Sequence, residues 1–463
     1  MQTIDATTTT IPGFAGELIG PGDPSYDELR EVINGMHDRR PALIARPVDA
    51  RDVAAALAHA REHGLDVAVR SGGHHVAGFG VRDGALVIDM RSMNAIDVDP
   101  AARRVRVGGG ALWGQLDAAT QEFGLAVTGG RASTTGVIGQ ALGSGSGWLE
   151  RSLGLTIDNL LAAELVTADG RVVRASEDEN PDLFWALRGA APNFGVVTSI
   201  ELRLHPVGPI VLGGLAMFPV DRAAELFTAW REVNETGPDE FGSCLVVTTA
   251  PPDPDLPAEV HGRQFVGLAV CHSGDLDEGR ALVERLYAAV SPLLDAVAPM
   301  PYTAAQQLID PFAQAGQRQY WKAENLAELS DGAIAELIDH GTSPVSPLGQ
   351  LVVEPKGRAI ARTPDDATAL GGRDAKYHWY AFSIWADPAD DEAGIGWARG
   401  LTERMRPYSI AGAAPNFFSP EGTERLRSAF GERKYERLVA LKREWDPDNV
   451  FSWNQNINPG PRG

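Results

Sequence analysis

Cysteine and long apolar segments are both scarce in this sequence. The chain has two cysteines among 463 residues, Cys244 and Cys271, and each lies in an apolar run. Two buried thiols are therefore expected, rather than a disulfide framework or a cysteine metal site, and no metal is expected. No uninterrupted apolar stretch is long enough to cross a bilayer, and the first residues, MQTIDATTTTIPGF, lack the regions of a signal peptide. These absences predict a cytoplasmic protein with no membrane partner.

Basic residues are also few. Lysine and arginine number 41 against 62 aspartate and glutamate residues, which gives a net charge of −21 at pH 7. This acidity argues against nucleic acid and anionic membranes as partners. It does not indicate a cationic substrate, because most of these charges are expected on solvated faces. A length of 463 residues exceeds the usual size of one hydrophobic core, so two domains are expected.

The first part of the chain begins with a strand–helix–strand pattern. The run PALIAR (41–46) predicts a strand, Asp49 can cap a helix through AAALAHAREH that ends at Gly64, and LDVAVR (65–70) predicts the next strand. This spacing is typical of a βαβ unit. The near-alternating runs ALVIDM, AIDVDP and RRVRVGG then predict antiparallel strands. LAAELVTADG predicts a further strand that ends in a turn at its Asp-Gly pair.

The middle of the chain, from about 210 to 410, has a different pattern. Five runs predict strands: LGGLAMFPV, SCLVVTTAP, FVGLAVCHS, GQLVVEP and YHWYAFSIW. Helical segments are predicted near 221–233, 276–293 and 330–339, so a sheet covered by helices on one side is expected. The tail contains one predicted helix, TERLRSAFGERKYERLVALKREW, and then DPDNVFSWNQNINP. A tail rich in asparagine and proline is expected to pack back onto the molecule.

Two glycine-rich segments contain residues suited to hold a ligand. In RSGGHHVAGFG (70–80), glycines let the backbone approach a ligand closely, and the histidine after them offers a nucleophilic nitrogen. A solvated surface loop is the alternative for this segment. In GGRASTTGVIGQALGSGSGWLERSLGLTIDN (129–159), backbone amides and short hydroxyls suit a pyrophosphate. Its later glycines are spaced GxGxG rather than GxGxxG, which disfavours a Rossmann site.

Two further segments complete the pattern. DLFWALRGAAPNFGVVTSIELRL (182–204) places Arg188, Asn193 and Gly195 in a loop before a strand, and the tail FSWNQNINP carries several amide side chains. Together the four segments resemble the FAD-linked oxidases of the vanillyl-alcohol-oxidase superfamily, in the berberine-bridge-enzyme-like branch. Within it, the sequence is similar to bacterial 6-hydroxynicotine oxidases and to flavoenzymes of antibiotic biosynthesis. The resemblance spans nearly the whole chain and is least distinct in the middle.

The resemblance implies an α+β fold, in which a two-part FAD-binding domain of the PCMH type carries an inserted α/β substrate domain built on an antiparallel sheet. The implied boundaries are residues 1–207 for the first part of the FAD-binding domain, 208–412 for the substrate-binding domain and 413–463 for a C-terminal segment that returns to the FAD-binding domain. The implied cofactor is FAD, held covalently by a single bond from His74 to the flavin 8α-methyl. The neighbouring His75 is the alternative.

The resemblance also implies which residues surround the cofactor. Besides His74, the residues expected at FAD are Arg70, Ser71, Gly72, Gly73, Gly78, Gly130, Ser133, Thr134, Thr135, Gly136, Gly139, Asn193, Gly195, Val197, Asn454 and Asn456. Many relatives form a second flavin bond from a cysteine in GxCPxxG, but Ala132 stands at that position and cannot make the bond. Ser144 and Ser146 also stand where relatives often have glycines in LGGGxGWL, which changes the expected path of that loop.

The implied chemistry is the oxidation of a small organic molecule of the secondary-metabolite type. A substrate C–H bond would lie over flavin N5, a base would take the proton of the adjacent O–H or N–H group, and hydride would pass to the flavin. Molecular oxygen would then reoxidise the flavin and form hydrogen peroxide. Thr135 matches the family position beside which oxygen approaches the flavin.

The base is expected in the middle part of the chain. Glu354 in QLVVEPKG is the first candidate, because it matches a carboxylate that faces the flavin in some relatives. Partial burial among apolar neighbours would raise the pKa of its carboxyl group to a value suited to a general base, and the alternative is that Glu354 ends its strand and faces solvent. Tyr320 in QYWKAEN is the second candidate, while Trp321 beside it is expected to serve in packing. His378 and Tyr380 alternate on one strand face in KYHWYAF and could line the pocket.

The sequence leaves the reaction and the substrate open. The alternatives to an oxidase are a flavin dehydrogenase with another acceptor, an enzyme that stores oxygen on flavin N5, and a non-catalytic protein that carries flavin and binds a ligand. Alkaloid, phenolic, sugar and polyketide substrates all remain possible, and the missing cysteine slightly disfavours a sugar. The oligomeric state cannot be predicted from the sequence.

Overall fold

The computed structural model describes residues 10–252 and 258–461. The expectation about a signal peptide falls mainly on residues 1–9, which lie outside the described residues. The strands, in chain order, are β1 (Glu17–Ile19), β2 (Leu43–Arg46), β3 (Val67–Arg70), β4 (Leu86–Asp89), β5 (Ile96–Asp99), β6 (Arg104–Gly108), β7 (Leu125–Ala126), β8 (Leu160–Val166), β9 (Val172–Ser176), β10 (Val196–Arg203), β11 (His205–Pro206), β12 (Ile210–Pro219), β13 (Phe241–Thr249), β14 (Gln264–His272), β15 (Leu294–Asp295), β16 (Ala298–Pro301), β17 (Arg318–Leu326), β18 (Gln350–Pro355), β19 (Tyr377–Trp385) and β20 (Ser409–Ile410). The α-helices are α1 (Tyr26–Arg30), α2 (Ala50–His63), α3 (Trp113–Gln121), α4 (Val137–Ala141), α5 (Glu150–Leu153), α6 (Pro181–Ala190), α7 (Ala223–Thr236), α8 (Leu276–Ala289), α9 (Tyr302–Ala305), α10 (Asp331–Gly341), α11 (Ala359–Arg362), α12 (Asp391–Met405), α13 (Thr423–Phe430) and α14 (Glu432–Trp445).

A small sheet in the order β1-β2-β4-β3 contains the predicted βαβ unit. The Asp49 carboxylate accepts hydrogen bonds from the backbone N–H groups of Arg51 and Asp52 at the start of α2, and Gly64 ends this helix with a φ of 62°. β4 lies between β2 and β3 and runs parallel to both, so the prediction of an antiparallel strand for ALVIDM is wrong. Every residue of β4 is buried. In a strand covered on both faces, the near-alternation of ALVIDM does not mark an exposed face, so it does not indicate antiparallel neighbours.

A second sheet has the order β5-β6-β10-β8-β9 and is antiparallel throughout. The hairpin of β8 and β9 turns at Asp169 and Gly170, as predicted. The C-terminal helices share the core of this sheet, since Phe430 and Leu438 are buried in the same cluster as Ile200. The second sheet and the tail therefore form one packed unit.

The third sheet occupies most of the middle of the chain and is antiparallel. Within the described ranges it has nine strands, in the order β15-β12-β14-β13-β18-β19-β17-β20, with β16 also paired to β12. Helices α7, α8, α10 and α12 cover one face, where Phe227, Leu286, Leu337 and Leu401 are buried in one core. The predicted sheet with helices on one side is confirmed, as is the α+β fold. Among residues 10–252 and 258–461, no helix combines the length and the apolar character needed to cross a membrane.

The tail packs back onto the molecule, as expected, but with a break. Gly431, with a φ of 79°, separates α13 from α14, so the prediction of one continuous helix is wrong. In α14 the Lys442 ammonium is 2.6 Å from the Asp446 carboxylate, and both side chains are fully buried. Lys442 also donates hydrogen bonds to the carbonyl oxygens of Asn193 and Phe451. This buried pair ties the end of the chain to the loop that precedes β10.

Candidate active site

A cavity of about 660 Å³ lies between the helix-free face of the nine-stranded sheet and the two glycine-rich segments. A volume of this size is typical of pockets that hold small molecules and cofactors. One side is formed by residues from 71–75, 130–143 and 189–197, and residues from 451–455 close one end. The cavity therefore brings together all four segments that the sequence marks as ligand-binding.

The sheet side of the cavity follows the two-residue period of β-strands. Strands β18 and β19 direct alternate side chains into it: Gln350, Val352, Glu354, Tyr380, Phe382 and Ile384. Most of this wall is aliphatic or aromatic. Of the described residues around the cavity, Glu354 alone carries a carboxylate and Arg131 alone a guanidinium. The wall is suited to a largely apolar molecule with one group that exchanges a proton.

His74 follows β3 and its two glycines, and it faces the cavity. Two hydroxyls hold its ring: Thr135 Oγ1 lies 3.2 Å from Nδ1, and Thr134 Oγ1 lies 3.0 Å from Nε2. Burial and the positive charge of Arg70 lower the pKa of His74 to about 4. The imidazole is therefore neutral at neutral pH and keeps a nitrogen lone pair that can form a covalent bond.

His75 also lines the cavity, but its ring is held differently. The backbone N–H of Ala77 donates a hydrogen bond to His75 Nδ1 at 3.1 Å, and the ring centroid lies 4.6 Å from that of Phe79. Burial lowers the pKa of His75 to about 4 as well. One of its two nitrogens is thus already engaged by the backbone.

The two glycine-rich segments touch at Gly72 and Gly136. A Cβ atom on Gly136 would lie 2.4 Å from the Gly72 nitrogen, so this approach requires glycine. Gly139 lines the cavity, and a Cβ atom there would meet no atom within 4 Å. The backbone near Gly139 is therefore open to direct contact with a ligand.

Two buried amide oxygens at the cavity have no hydrogen-bond partner in the described structure, Gln140 Oε1 and Asn454 Oδ1. Buried polar groups are normally hydrogen-bonded, so these atoms indicate where a polar ligand binds. The N–H at the flavin ring edge and the ribose hydroxyls of FAD can donate to these oxygens, and the bare glycine backbone leaves room for the cofactor. The residues present therefore fit FAD.

The amide of Asn193 fastens the tail beside the cavity. Its Oδ1 accepts a hydrogen bond from the backbone N–H of Ile457 at 2.8 Å, and its Nδ2 donates to the Gln455 carbonyl at 3.3 Å. In return, Asn454 Nδ2 donates to the Pro192 carbonyl at 2.8 Å. These reciprocal bonds keep the end of the chain at the cavity.

Glu354 and Arg131 form a buried ion pair in the cavity wall. Arg131 Nη1 lies 2.6 Å from Glu354 Oε1, and the Tyr380 hydroxyl donates to Glu354 Oε2 at 3.0 Å. Burial raises the pKa of the Glu354 carboxyl, and the charge of Arg131 opposes that rise. The arrangement places a proton acceptor in an apolar wall beside a fixed positive charge.

The residues predicted at FAD divide into two groups by position. Those that line the cavity are Ser71, Gly72, Gly73, His74, Gly130, Thr135, Gly136, Gly139, Asn193, Gly195, Val197 and Asn454. Those that do not line it are Arg70, Gly78, Ser133, Thr134 and Asn456. Of the second group, Thr134 touches His74, and the Ser133 backbone N–H donates to the Asp310 carboxylate at 2.8 Å.

In the part of the chain that the structure describes, no three histidine, cysteine or acidic side chains are grouped to hold a metal ion.

The structure does not bring Tyr320 to the cavity. On β17 the cavity side presents Gln319 and Trp321, so Tyr320 faces the helix-covered core, where Arg399 Nε lies 3.4 Å from its hydroxyl. Trp321, which the sequence predicts as a packing residue, lines the cavity instead. Adjacent side chains of a strand point to opposite faces of the sheet, so Trp321 faces the cavity and its neighbour Tyr320 does not.

His378 lies beside the cavity rather than in its wall, whereas Tyr380 lines it. His378 borders a separate space of about 20 Å³, and its Nδ1 lies 2.6 Å from Asn325 Oδ1. Its ring centroid is 4.4 Å from that of Tyr380. His378 thus supports Tyr380 from behind.

Sequence reasoning missed Arg131 as a site residue. No local pattern marks it, because Arg131 lies outside the strands and its partner Glu354 lies on β18, far along the chain. The only signal is its place between Gly130 and Ala132, both of which line the cavity. A charged side chain inside a glycine-rich ligand segment is the feature that could have found it.

Family models and full-length relatives match this chain. A model described as FAD binding domain matches residues 41–176, and one described as berberine and berberine like matches residues 413–458. The chain is 34% identical over 96% of its length to (R)-6-hydroxynicotine oxidase of Paenarthrobacter nicotinovorans, of which 97% is covered. It is 30% identical to an FAD-linked oxidoreductase of Dictyostelium discoideum, over 90% of this chain and 89% of that protein.

Solved structures show the same fold. The crystal structure of 6-hydroxy-D-nicotine oxidase from Arthrobacter nicotinovorans superposes with a TM-score of 0.88 at 32% identity, over 98% of this chain and 100% of that one. Glucooligosaccharide oxidase from Acremonium strictum, which carries a 6-S-cysteinyl, 8α-N1-histidyl FAD, superposes with a TM-score of 0.84 at 23% identity, over 96% and 98%. The shared architecture extends over the sheets on both sides of the cavity.

Proposed function

The chain belongs to the berberine-bridge-enzyme-like family of FAD-linked oxidoreductases, and from that premise we propose that it is an oxidase that passes electrons from a small organic substrate to molecular oxygen. It is an FAD-dependent enzyme. The observation that carries the proposal is the cavity of about 660 Å³ that has His74 on one wall and Glu354 on another. This places a cofactor anchor and a proton acceptor around the same space.

We propose that FAD is attached to His74 by a single covalent bond to its 8α-methyl. The neutral ring, its position in the cavity and its two threonine partners support this attachment. Ala132 lines the cavity where many relatives carry a cysteine, and a methyl group offers no sulfur for a second bond. The residues with open backbone or unpartnered amides, such as Gly139, Gln140 and Asn454, would hold the remainder of the dinucleotide.

The domain boundaries follow from the same proposal. Residues 1–207 and 413–463 would form the FAD-binding domain, and residues 208–412 the substrate-binding domain. Two features support this division: the tail helices share a core with the second sheet, and the nine-stranded sheet is built from residues between 210 and 410.

We propose that Glu354 is the general base of substrate oxidation. Its carboxylate would accept the proton of a substrate O–H or N–H group and become a carboxylic acid, while the adjacent C–H bond breaks with its electron pair. When bound, FAD supplies the acceptor for that hydride and for the later transfer of electrons to oxygen. The aromatic and aliphatic wall, including Trp321, Phe382 and Val352, would exclude water and align a largely apolar substrate.

Oxygen would reach the flavin beside Thr135. This side chain lines the cavity, is of modest size and has its hydroxyl engaged by His74 Nδ1 at 3.2 Å. It therefore leaves space on that side of the cavity.

The oxidase proposal predicts two separable half-reactions. The holoenzyme is mixed without oxygen with a panel of small aromatic alcohols, phenols and cyclic amines that includes both enantiomers of 6-hydroxynicotine, and flavin absorbance is followed. We expect at least one member to bleach the flavin, and air to restore the colour with one hydrogen peroxide formed per turnover. Bleaching that oxygen does not reverse would contradict the oxidase and favour a dehydrogenase. Recovery through a distinct oxygenated spectrum, with oxygen inserted into the product, would favour the oxygenating alternative.

A further inference from the structure

The two oxygens of Glu354 are both engaged, and by groups from different parts of the fold. Oε1 is 2.6 Å from Nη1 of Arg131, which lies in the glycine-rich cofactor segment, and Oε2 accepts from the hydroxyl of Tyr380 on β19. The Glu354 side chain is 4% exposed. The carboxylate is therefore fixed in direction, and its charge is compensated chiefly by one guanidinium.

Arg131 is itself well held. Its guanidinium stacks over the Trp148 ring at 4.6 Å from the centroid, and its side chain is 14% exposed. Burial alone would lower the pKa of Arg131, but the negative charge of Glu354 raises it above the ordinary value. A guanidinium stays protonated in proteins, so Arg131 is a permanent positive charge at this point.

The other titratable groups around Glu354 do not replace Arg131. Glu150, which accepts a hydrogen bond from the Gly147 backbone N–H at 3.1 Å, raises the pKa of Glu354, and Lys356, whose Nζ lies 3.6 Å from Glu150, lowers it. Each of these effects is smaller than that of Arg131. Burial raises the pKa of the Cys244 thiol to about 12 and that of Tyr380 well above its ordinary value, so both are neutral. Burial lowers the pKa of His378 well below its ordinary value, so it is neutral too.

We propose that Arg131 is the positioning residue that keeps Glu354 ionised and aimed into the cavity, and that it thereby sets the lower pH limit of substrate oxidation. The inference rests on the proposed role of Glu354 as the base. It gives the cofactor segment a second role, because the segment that would hold FAD also determines the protonation state of the base on the substrate side.

The sign of the effect follows from the charges. Glu354 acts as a base only when ionised, so kcat/KM falls as pH drops through its pKa. Burial raises that pKa and Arg131 lowers it. Removing the guanidinium lets the pKa rise further, by about 1–3 pH units for a neighbouring opposite charge. The acidic limb of the pH profile therefore moves to higher pH.

The experiment uses the holoenzyme with Arg131→Gln, which removes the charge, and Arg131→Lys, which restores it. The first measurement is the pH dependence of kcat/KM for the best substrate from the panel. The second needs no substrate: infrared difference spectra over a pH titration report the protonated carboxyl band of Glu354, identified by its loss in Glu354→Gln. Arg373→Met is the matched control. It also breaks a buried arginine–carboxylate pair, in which Arg373 lies 2.7 Å from Asp158, but neither residue lines the cavity.

In Arg131→Gln we expect the acidic limb of kcat/KM and the titration midpoint of the Glu354 band to move together to higher pH by about 1–3 units. Both should return most of the way in Arg131→Lys. Both should stay at the wild-type pH in Arg373→Met. An unchanged band and limb in Arg131→Gln would overturn the proposal. A Glu354 that is already protonated at neutral pH in the wild type would also overturn it, even if the substituted chain did not fold. If the band titration moves in Arg131→Gln but Glu354→Gln keeps full activity, Glu354 is not the base. Arg131 then does not set the lower pH limit of oxidation, although the oxidase proposal stands.

Discussion

Replacing Glu354 by glutamine is expected to slow the anaerobic reduction of the flavin by substrate about 10²–10⁴-fold, the range that a positioned general base contributes. The amide has nearly the same size and can still pair with Arg131 and Tyr380, so the cavity should keep its shape. It cannot accept the substrate proton. The rate is measured by stopped-flow absorbance at saturating substrate, together with the flavin content of the purified variant.

The matched control for this change is Glu324→Gln. Glu324 also pairs with an arginine, Arg425, at 2.7 Å, and burial raises the pKa of its carboxyl, but it is not among the cavity residues. We expect this variant to reduce its flavin at nearly the wild-type rate. Equal loss in both variants would indicate a general structural effect, and an undiminished rate in Glu354→Gln would exclude Glu354 as the base.

Replacing Asp446 by alanine is expected to destabilise the protein by about 3–5 kcal/mol, because it leaves the buried Lys442 ammonium without its counter-ion. Both side chains are fully buried and 2.6 Å apart, and the Asp446 carboxylate also accepts hydrogen bonds from the backbone N–H groups of Val450 and Phe451. Loss of these contacts should loosen the tail that carries Asn454 to the cavity. The measurements are the free energy of unfolding in urea and the fraction of purified chains that have incorporated FAD.

Two controls separate this effect from loss of charge in general. Glu403→Ala removes an exposed ion pair with Arg406, with side chains 63% and 71% exposed, and should change stability little. The double variant Lys442→Met/Asp446→Leu removes both buried charges and should recover part of the stability. If Asp446→Ala were no less stable than Glu403→Ala, the tail would not depend on this pair.

The sequence predicts those parts of the fold that local chemistry determines. The Asp49 cap and the Gly64 end of α2 can be predicted because each makes its hydrogen bonds with residues at most four positions away. The pairing of β4 could not be predicted, since a strand buried on both faces has no alternation that distinguishes parallel from antiparallel neighbours. The break at Gly431 could not be predicted either, because the flanking helical patterns outweigh one glycine.

The candidate site was predictable on the cofactor side and less so on the substrate side. His74 stands in a compact motif, whereas the choice between Tyr320 and Trp321 depends on strand phase. Tyr320 is 9% exposed in the helix-side core while Trp321 faces the cavity, so both faces of β17 are covered and hydrophobicity does not separate them. Arg131 acquires its role only when folding brings Glu354 to it.

A catalytic FAD bonded to His74 should stay with the polypeptide when the holoenzyme is denatured in acid. Absorbance of the precipitate and the intact mass are recorded for the wild type, for His74→Ala and for His75→Ala, whose ring lines the same cavity. A bond to His74 predicts a flavin-sized mass increment in the wild type and in His75→Ala, and no increment in His74→Ala. Free release of flavin from the wild type, or a covalent flavin that survives in His74→Ala, would contradict it.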